Sequence, residues 1–377
     1  MHIVQVVNAL RVGGAEKLIV TLAQALQHHD ARLTVVTLRP NVPVVQAQVE
    51  SFGACVMPFS HRKPYAIRRF WNLFHYLRTS APDVIHTHLS MANILGASAG
   101  ALAGIPIVST LHNTKMSTKD NLLLATTETF LLANIVDRII AVGWQTAEVQ
   151  QPRFTDKQID VIPNAVPIPK KLSSTERERL RRELIGDPTL SLLISVGRLE
   201  PQKGIFDLLD AFTILQKDRP NARLVMAGTG SLESEFRSEV AIRGLEEKVI
   251  LLGLRQDIST LLEASDIFVS TAHWEGLPLS TLEAMAAGLP VVVTAVGDLP
   301  RVIDDKTGIL VEPHNPAIFA KQIERLIDAP DRRAAVGNAA RMLIKREYSA
   351  PVWADRLLNV YQEVARGKPV QLIKEGL

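Results

Sequence analysis

Cysteine is almost missing from this chain: Cys55 stands alone among 377 residues. A lone thiol excludes an intrachain disulfide framework and any multi-cysteine metal site. It reads most simply as a small apolar residue in a reducing compartment. A dominant charge is missing as well. Lys and Arg number 42 against 39 Asp and Glu, a formal charge of +3. Nucleic-acid binders normally carry a concentrated basic stripe, so no nucleic-acid partner is expected. Anionic small molecules or an anionic membrane surface fit the mild basic excess. Charged residues make up 21% and apolar residues 47%, which excludes a largely disordered chain. Long apolar runs are scarce. The first residues, MHIVQVVNALRVGGAEK, lack a basic leader and an A-x-A-like end, and read as a strand rather than a signal peptide. MANILGASAGALAGIPIV, residues 91–108, is barely long enough for a bilayer and contains Asn93 and Pro106. It reads as a buried helix followed by a strand. The expectation is a cytoplasmic protein.

What the sequence does contain is alternation. Short Val/Ile-rich runs (HIVQVVNA, RLTVVTL, DVIHTH, PIVSTLH, RIIAVG, QIDVIPN) are separated by helix-like segments. The pattern restarts at LSLLISVG and continues through ARLVMAG, KVILLG, DIFVS, PVVVT and GILVE. Apolar strands joined by helical crossovers predict parallel sheets covered on both faces. The fold class is therefore α/β, with two doubly wound domains. The predicted divisions are residues 1–167, 168–349 and a C-terminal helix in 350–377 that packs back across the first domain. Pro163, Pro167 and Pro169 predict a stiff, extended linker between the domains. Ser173 and Glu176 have capping-box spacing ahead of a helix whose charge run reads as a solvated face.

In doubly wound sheets ligands collect beyond the C-terminal ends of the strands, so motifs that follow strands carry the argument. Gly13 and Gly14 follow the first strand and open a helix, which suits either an anion or an ordinary glycine turn. The dinucleotide pattern G-x-G-x-x-G is absent. In SVGRLEPQKG, Arg198 and Lys203 place two cations in a loop after a strand, suited to a diphosphate or simply to solvent. His86 and His88 alternate in a strand and face the same way, which leaves metal ligation and cleft lining both open.

WEGLPLSTLEAMAAGLPVVV, residues 274–293, is the densest stretch. Glu275 should sit at a strand tip and Glu283 in the first turns of a helix starting at Leu279. Eight residues of helix span about 12 Å, whereas hydrolytic carboxylate pairs lie roughly 5–10 Å apart. The two carboxylates therefore read as gripping different diols of one long ligand. The helix start, near Leu279 and Ser280, offers backbone donors to an anion.

These stretches, in order, resemble the large retaining glycosyltransferase family 4, which has the GT-B fold of two Rossmann-like domains facing a central cleft. EGLPLSTLEAMAAGLPVV carries its E-x7-E signature, and GRLEPQKG its phosphate loop. VGGAE, PDVIHTH, VIPNAV, MAGTGSLE and VGDLPRVIDDKTGILV match as well. The resemblance covers nearly the whole chain and implies a hexosyltransferase using a nucleotide-diphosphate sugar, with no metal and no other cofactor. It places Glu283 on the ribose and Glu275, with the adjacent Gly276, on the transferred sugar. Arg198, Lys203 and the backbone of Leu279 and Ser280 hold the diphosphate. Gly14 approaches from the first domain, His112 lies near the sugar, and Gly228 and Leu254 line the base pocket. The implied catalytic set is His112, Glu275, Arg198 and Lys203. Ala165, Thr229, Asp298 and Arg301 depart from the common pattern, and the last two put the sugar's identity in doubt. The implied acceptor is a glycan or lipid-linked molecule, in cell-surface polysaccharide biosynthesis. Alternatives are a sugar-nucleotide-binding protein without turnover, or another GT-B enzyme such as an epimerase or phosphorylase. Residues 61–82 mix Arg62, Lys63, Arg68, Arg69 and Arg78 with Phe70, Trp71, Phe74 and Tyr76. That composition fits a helix on an anionic membrane face or one whose aromatics enter the core.

Overall fold

The computed structural model describes residues 1–11, 13–59, 66–112 and 122–367. Arg62, Lys63 and residues 368–377 lie outside them. The chain divides into two compact units: residues 1–165 with the stretch from Ala350, and Val166–Ser349.

The first unit holds strands β1 (His2–Val7), β2 (Arg32–Thr37), β3 (Cys55–Pro58), β4 (Val84–His88), β5 (Ile107–Leu111), β6 (Arg138–Ala141) and β7 (Ile159–Val161). Helices α1 (Gly14–Leu26), α2 (Pro43–Ser51), α3 (Ala66–Ser80), α4 (Ser90–Ala103), α5 (Leu122–Asn134) and α6 (Trp144–Gln150) connect them. The 7-stranded sheet is parallel in the order β3-β2-β1-β4-β5-β6-β7. Every residue of β4 and β5 is buried, the polar ones included, as fits central strands of a parallel sheet covered on both faces. The Gly/Ala richness of residues 91–108 is a packing feature. A Cβ at Gly96 would come within 2.5 Å of the Thr87 side chain, and one at Gly100 within 2.7 Å of Ile85. Helix α4 thus lies tight on β4. No helix among the described residues is long and apolar enough to cross a membrane.

The second unit holds β8 (Ser191–Val196), β9 (Ala222–Ala227), β10 (Val249–Gly253), β11 (Ile267–Ser270), β12 (Val291–Thr294) and β13 (Ile309–Val311). Its helices are α7 (Ser174–Ile185), α8 (Ile205–Asp218), α9 (Glu233–Ile242), α10 (Ile258–Ala264), α11 (Leu279–Ala287), α12 (Leu299–Val302), α13 (Pro316–Ile327) and α14 (Pro330–Leu343). The 6-stranded parallel sheet runs β10-β9-β8-β11-β12-β13. Phe319, Ile323 and Leu326 of α13 and Leu208, Phe212 and Leu215 of α8 share one buried core. Each such side chain contributes about 1.5–3 kcal/mol relative to exposure. The final helix, α15 (Ala350–Ala365), belongs to the first unit and packs on α1.

Four expectations need correction or extension. Cys55, read as a small apolar residue, is a free thiol exposed on the edge strand β3. That four-residue strand, CVMP, has a single buried residue and is too short for the sequence pattern to single it out. The stretch expected as a linker is extended but buried at Ala165 and Val166, where Val166 N–H donates to the Tyr348 carbonyl. Helix α7 is capped as its spacing predicts, with Ser173 and Glu176 bonded reciprocally, but it is not simply a solvated face. Arg181 is buried, and Arg177 and Arg181 close on the two oxygens of Asp266 at 2.7 and 3.0 Å. Burial alone would raise the Asp266 carboxyl, but Arg181, the Leu192 N–H and Arg177 outweigh it and hold it below the ordinary range.

Candidate functional site

Strand order reverses direction on the two sides of β1/β4 in the first sheet and of β8/β11 in the second. Ligands of doubly wound folds gather at such switch points. In the second unit the loop after β8 carries Arg198, and a 3-10 turn over Pro201–Lys203 brings Lys203 back. A small depression opens there, lined by Gly197, Arg198, Lys203, Met226, Ala227 and Ser270 among others. The glycines set its shape. A Cβ at Gly228, whose φ is +143°, would lie 1.9 Å from the Gly197 carbonyl oxygen. The Gly228 N–H donates to the Gly253 carbonyl at 2.8 Å, which brings the Leu254 backbone alongside.

Glu275 does not sit at a strand tip. Strand β11 ends at Ser270, and Glu275 lies five residues on, in the loop before α11. That loop is tied down. The Lys203 ammonium donates to Glu275 Oε1 in a pair whose side chains are 17% and 12% exposed. Gln202 Nε2 donates to the Trp274 carbonyl at 2.9 Å and reaches Glu275 Oε2 at 3.4 Å. Arg198 Nη2 donates to Gln202 Oε1 at 3.3 Å and is otherwise exposed. Gln202, which no motif suggested, thus links the loop cation to the loop carboxylate. The backbone beyond Glu275 is approached from β12: Gly297 has φ +61°, and a Cβ there would meet the Gly276 oxygen at 2.1 Å. The next residue, Asp298, is buried and its N–H donates to the Gly276 carbonyl at 3.0 Å. Arg301 lies exposed on α12. Of the two departures from the common pattern, Asp298 thus meets the Glu275 loop through its backbone.

Helix α11 begins at Leu279 after Pro278, and no side chain caps its first turn. The N–H groups of Leu279 and Ser280 are among the orphan donors of a helix start, where the dipole favours an anion. Glu283 projects from the second turn and is half-buried.

In the first unit, Gly14 is exposed as the first residue of α1, with Gly13 as its cap. His112 follows β5 directly. Its Nε2 meets His88 Nδ1 at 2.9 Å, and His88 Nε2 meets Gln5 Oε1 at 2.5 Å. Gln5 Nε2 donates to the Tyr361 hydroxyl at 3.1 Å; Tyr361 pairs with His86 Nδ1 at 2.6 Å, and His86 Nε2 with Thr110 Oγ1 at 2.6 Å. The chemistry of each partner orders the protons. An amide oxygen only accepts, so His88 carries its hydrogen on Nε2 and offers a lone pair on Nδ1. His112 therefore donates from Nε2 and keeps its own lone pair on Nδ1. Burial, reinforced by His112, brings His86 down to about 3. Burial alone brings His112 to about 4, and burial with its two neighbouring histidines holds His88 well below its ordinary value. The three rings are neutral near pH 7. Because both nitrogens of His86 and of His88 are engaged with His112, Gln5, Thr110 and Tyr361, the network favours hydrogen bonding over the metal ligation that i, i+2 spacing left open. Gln5 and Tyr361 were not foreseen. One is a polar residue flanked by valines in β1, and the other is 356 positions away.

Comparison with known proteins matches both units. The profile of group 1 glycosyl transferases matches residues 176–343, and that of Glycosyltransferase Family 4 matches residues 12–169. The chain is 31% identical over 269 residues to the UDP-Gal:alpha-D-GlcNAc-diphosphoundecaprenol alpha-1,3-galactosyltransferase of Escherichia coli, covering 68% of this chain and 69% of that one. It is 32% identical over 277 residues to a D-inositol 3-phosphate glycosyltransferase of Pseudarthrobacter chlorophenolicus, covering 68% and 65%. Among solved structures, Anabaena HepE in complex with UDP superposes with a TM-score of 0.84 at 21% identity, over 96% of this chain and 100% of that one.

Proposed function

The chain belongs to glycosyltransferase family 4, with a C-terminal unit of the group 1 type and the GT-B fold, and from that premise we propose that it transfers a hexose-type sugar, with retention, from a nucleotide-diphosphate sugar to a lipid-linked or glycan acceptor in cell-surface polysaccharide biosynthesis. The carrying observation is the convergence of Arg198, Lys203, Glu275 and the uncapped start of α11 around the β8/β11 switch point. Arg198, Lys203 and the N–H groups of Leu279 and Ser280 receive the charge that grows on the departing diphosphate. That fixed positive potential does the work a metal would otherwise do. Lys203 is held by Glu275, so an incoming phosphate and sugar meet a cation and an acceptor already placed side by side. Glu275 takes hydroxyls of the transferred sugar, with Gly276 beside it, and Glu283 takes the ribose. Gly228 and the Leu254 backbone line the base pocket. His112, neutral with a lone pair on Nδ1, accepts a hydrogen bond from a sugar hydroxyl. A departing phosphate oxygen then takes the acceptor's proton on the same face of the sugar.

The acceptor side supports a membrane-facing enzyme, attached peripherally to the cytoplasmic face. On α3, Phe70, Phe74 and Tyr76 pack against the core, but Trp71 is 53% and Ile67 69% exposed. Arg68 and Arg78 are exposed on the same helix. Helix α5 adds Leu122, Leu123 and Phe130, all exposed. Apolar and basic groups together suit anionic lipid, and the Escherichia coli relative is named for a lipid-diphosphate acceptor. Calorimetry with a panel of nucleotide-diphosphate sugars tests the donor assignment. Glu283→Ala should weaken donor binding roughly tenfold or more, the scale of lost hydrogen bonds to a charged group. Lys203→Ala should mainly slow transfer, by about 10²–10³. Unchanged donor affinity in Glu283→Ala would sink the ribose assignment.

A further inference from the structure

A separate group of side chains in the second unit has no part in the donor reading. Asp207 lies in the first turn of α8, His273 in the loop after β11, and His314 between β13 and α13. Asp207 Oδ2 is 3.1 Å from His273 Nε2 and 3.2 Å from His314 Nδ1. The two imidazoles lie 4.2 Å apart between centroids. The candidate donor atoms all fall within 4.8 Å of one another. Three elements distant in sequence thus bring two nitrogens and one carboxylate oxygen together.

That spacing has a chemical meaning. Tetrahedral zinc holds nitrogen and oxygen at about 2.0–2.2 Å. Ligand atoms on such a tetrahedron are about 3.3 Å apart, which follows from those bond lengths. The two Asp–His separations already match it, so small side-chain shifts would complete the set. Two imidazoles with one carboxylate suit Zn²⁺, whereas Mg²⁺ and Ca²⁺ favour oxygen alone. The His314 side chain is 67% exposed, which leaves water a route to the remaining coordination position. The backbone is also shaped for the meeting. Gly204 has φ +56°, and a Cβ there would lie 2.1 Å from the Thr271 carbonyl and 2.8 Å from His273 Nε2. Any other residue at 204 would push the start of α8 away from His273.

We propose that Asp207, His273 and His314 form a Zn²⁺ site that ties together the start of α8, the loop after β11 and the loop after β13. It takes no part in binding the diphosphate. Asp207 follows Lys203 by four residues and His273 precedes Glu275 by two, so the ion would brace both elements that carry the Lys203–Glu275 pair without touching either residue.

The test uses the full chain, stripped by a chelator and titrated with Zn²⁺ against a chromophoric competitor. One Zn²⁺ per chain is expected, with Mg²⁺ unable to displace it. His314→Ala and Asp207→Asn should each weaken binding by roughly tenfold or more, since losing even a supporting residue of a metal site has that effect. His314 is exposed, so His314→Ala keeps its fold, which a melting curve verifies. Absence of stoichiometric Zn²⁺ binding to the native chain would overturn the proposal, as would equal affinity in His314→Ala or in Asp207→Asn. No nucleotide or sugar enters the experiment, so its outcome is independent of the donor assignment.

Discussion

Acidification should loosen the centre of the first unit by an amount that His86 alone makes calculable. Its imidazole is 1% exposed and lies between Thr110 and Tyr361. Burial, with a smaller push from His112, brings it from 6.5 to about 3. A histidine depressed in the native state is protonated first in the unfolded chain, so the stability it adds is complete above pH 6.5 and is lost as pH falls toward 3. Between pH 7.5 and pH 5 the unfolded chain takes up most of a proton there and the native state almost none. The free-energy loss is about 2 kcal/mol, from roughly 1.4 kcal/mol per unit across the 1.5 units below 6.5. That is a large share of a stability of about 5–15 kcal/mol. His88 and His112 shift in the same direction and add to the loss. Burial raises the Glu16 and Asp160 carboxyls, which acts in the opposite sense. The informative quantity is therefore the difference between the native chain and His86→Gln. Amide exchange of β4 and β5, corrected for intrinsic rates, should show protection falling by about 2 kcal/mol more in the native chain than in the variant. If the two have equal pH dependence, the account of His86 as a neutral buried hydrogen-bonding ring is wrong.

Other consequences can be checked more briefly. Arg181→Ala should destabilise the second unit by about 3 kcal/mol, the low end for a broken buried ion pair, because it leaves Asp266 with only Arg177 and the Leu192 N–H and takes the Arg181 donor from the carbonyls of Pro188 and Ala264. Denaturant midpoints showing a loss below 1 kcal/mol, the range of exposed pairs, would refute that. Gly297→Ala should displace the Glu275–Gly276 backbone and cost about 1–3 kcal/mol, with weaker nucleotide-sugar binding in calorimetry; wild-type affinity and melting would contradict the close approach. Charge reversal at Arg68 and Arg78 should release the protein from anionic vesicles, read by flotation, while leaving neutral vesicles indifferent. Equal binding by the variant would remove α3 from the membrane reading.

Much of the scaffold was legible because parallel strands buried on both faces leave Val/Ile-rich runs, as at PVVVT. Strand β3 escaped because CVMP is an exposed edge with one buried residue. Helix α11 and the places of Glu283, Leu279 and Ser280 followed from the turn and helix start around Pro278. The partners did not. Lys203 and Glu275 are 72 residues apart, and Arg181 and Asp266 85. A local pattern records which residue types are present, but it does not say which distant charge each one faces. The charge run of α7 looked solvated for that reason. The histidines were half legible: alternation put His86 and His88 on one face, whereas Gln5 and Tyr361 are brought to them only by the register of β1 with β4 and the return of α15.

That return has a consequence for how the protein is made. Tyr361 satisfies Gln5 and His86 in the middle of the first sheet, yet it is among the last residues of the described chain to leave the ribosome. Val166–Ser349 is complete before then and is free to fold first. The first unit must wait with its central strands unfinished through the synthesis of its neighbour. A nascent chain halted before Tyr361 would hold Gln5 and His86 without that hydroxyl partner.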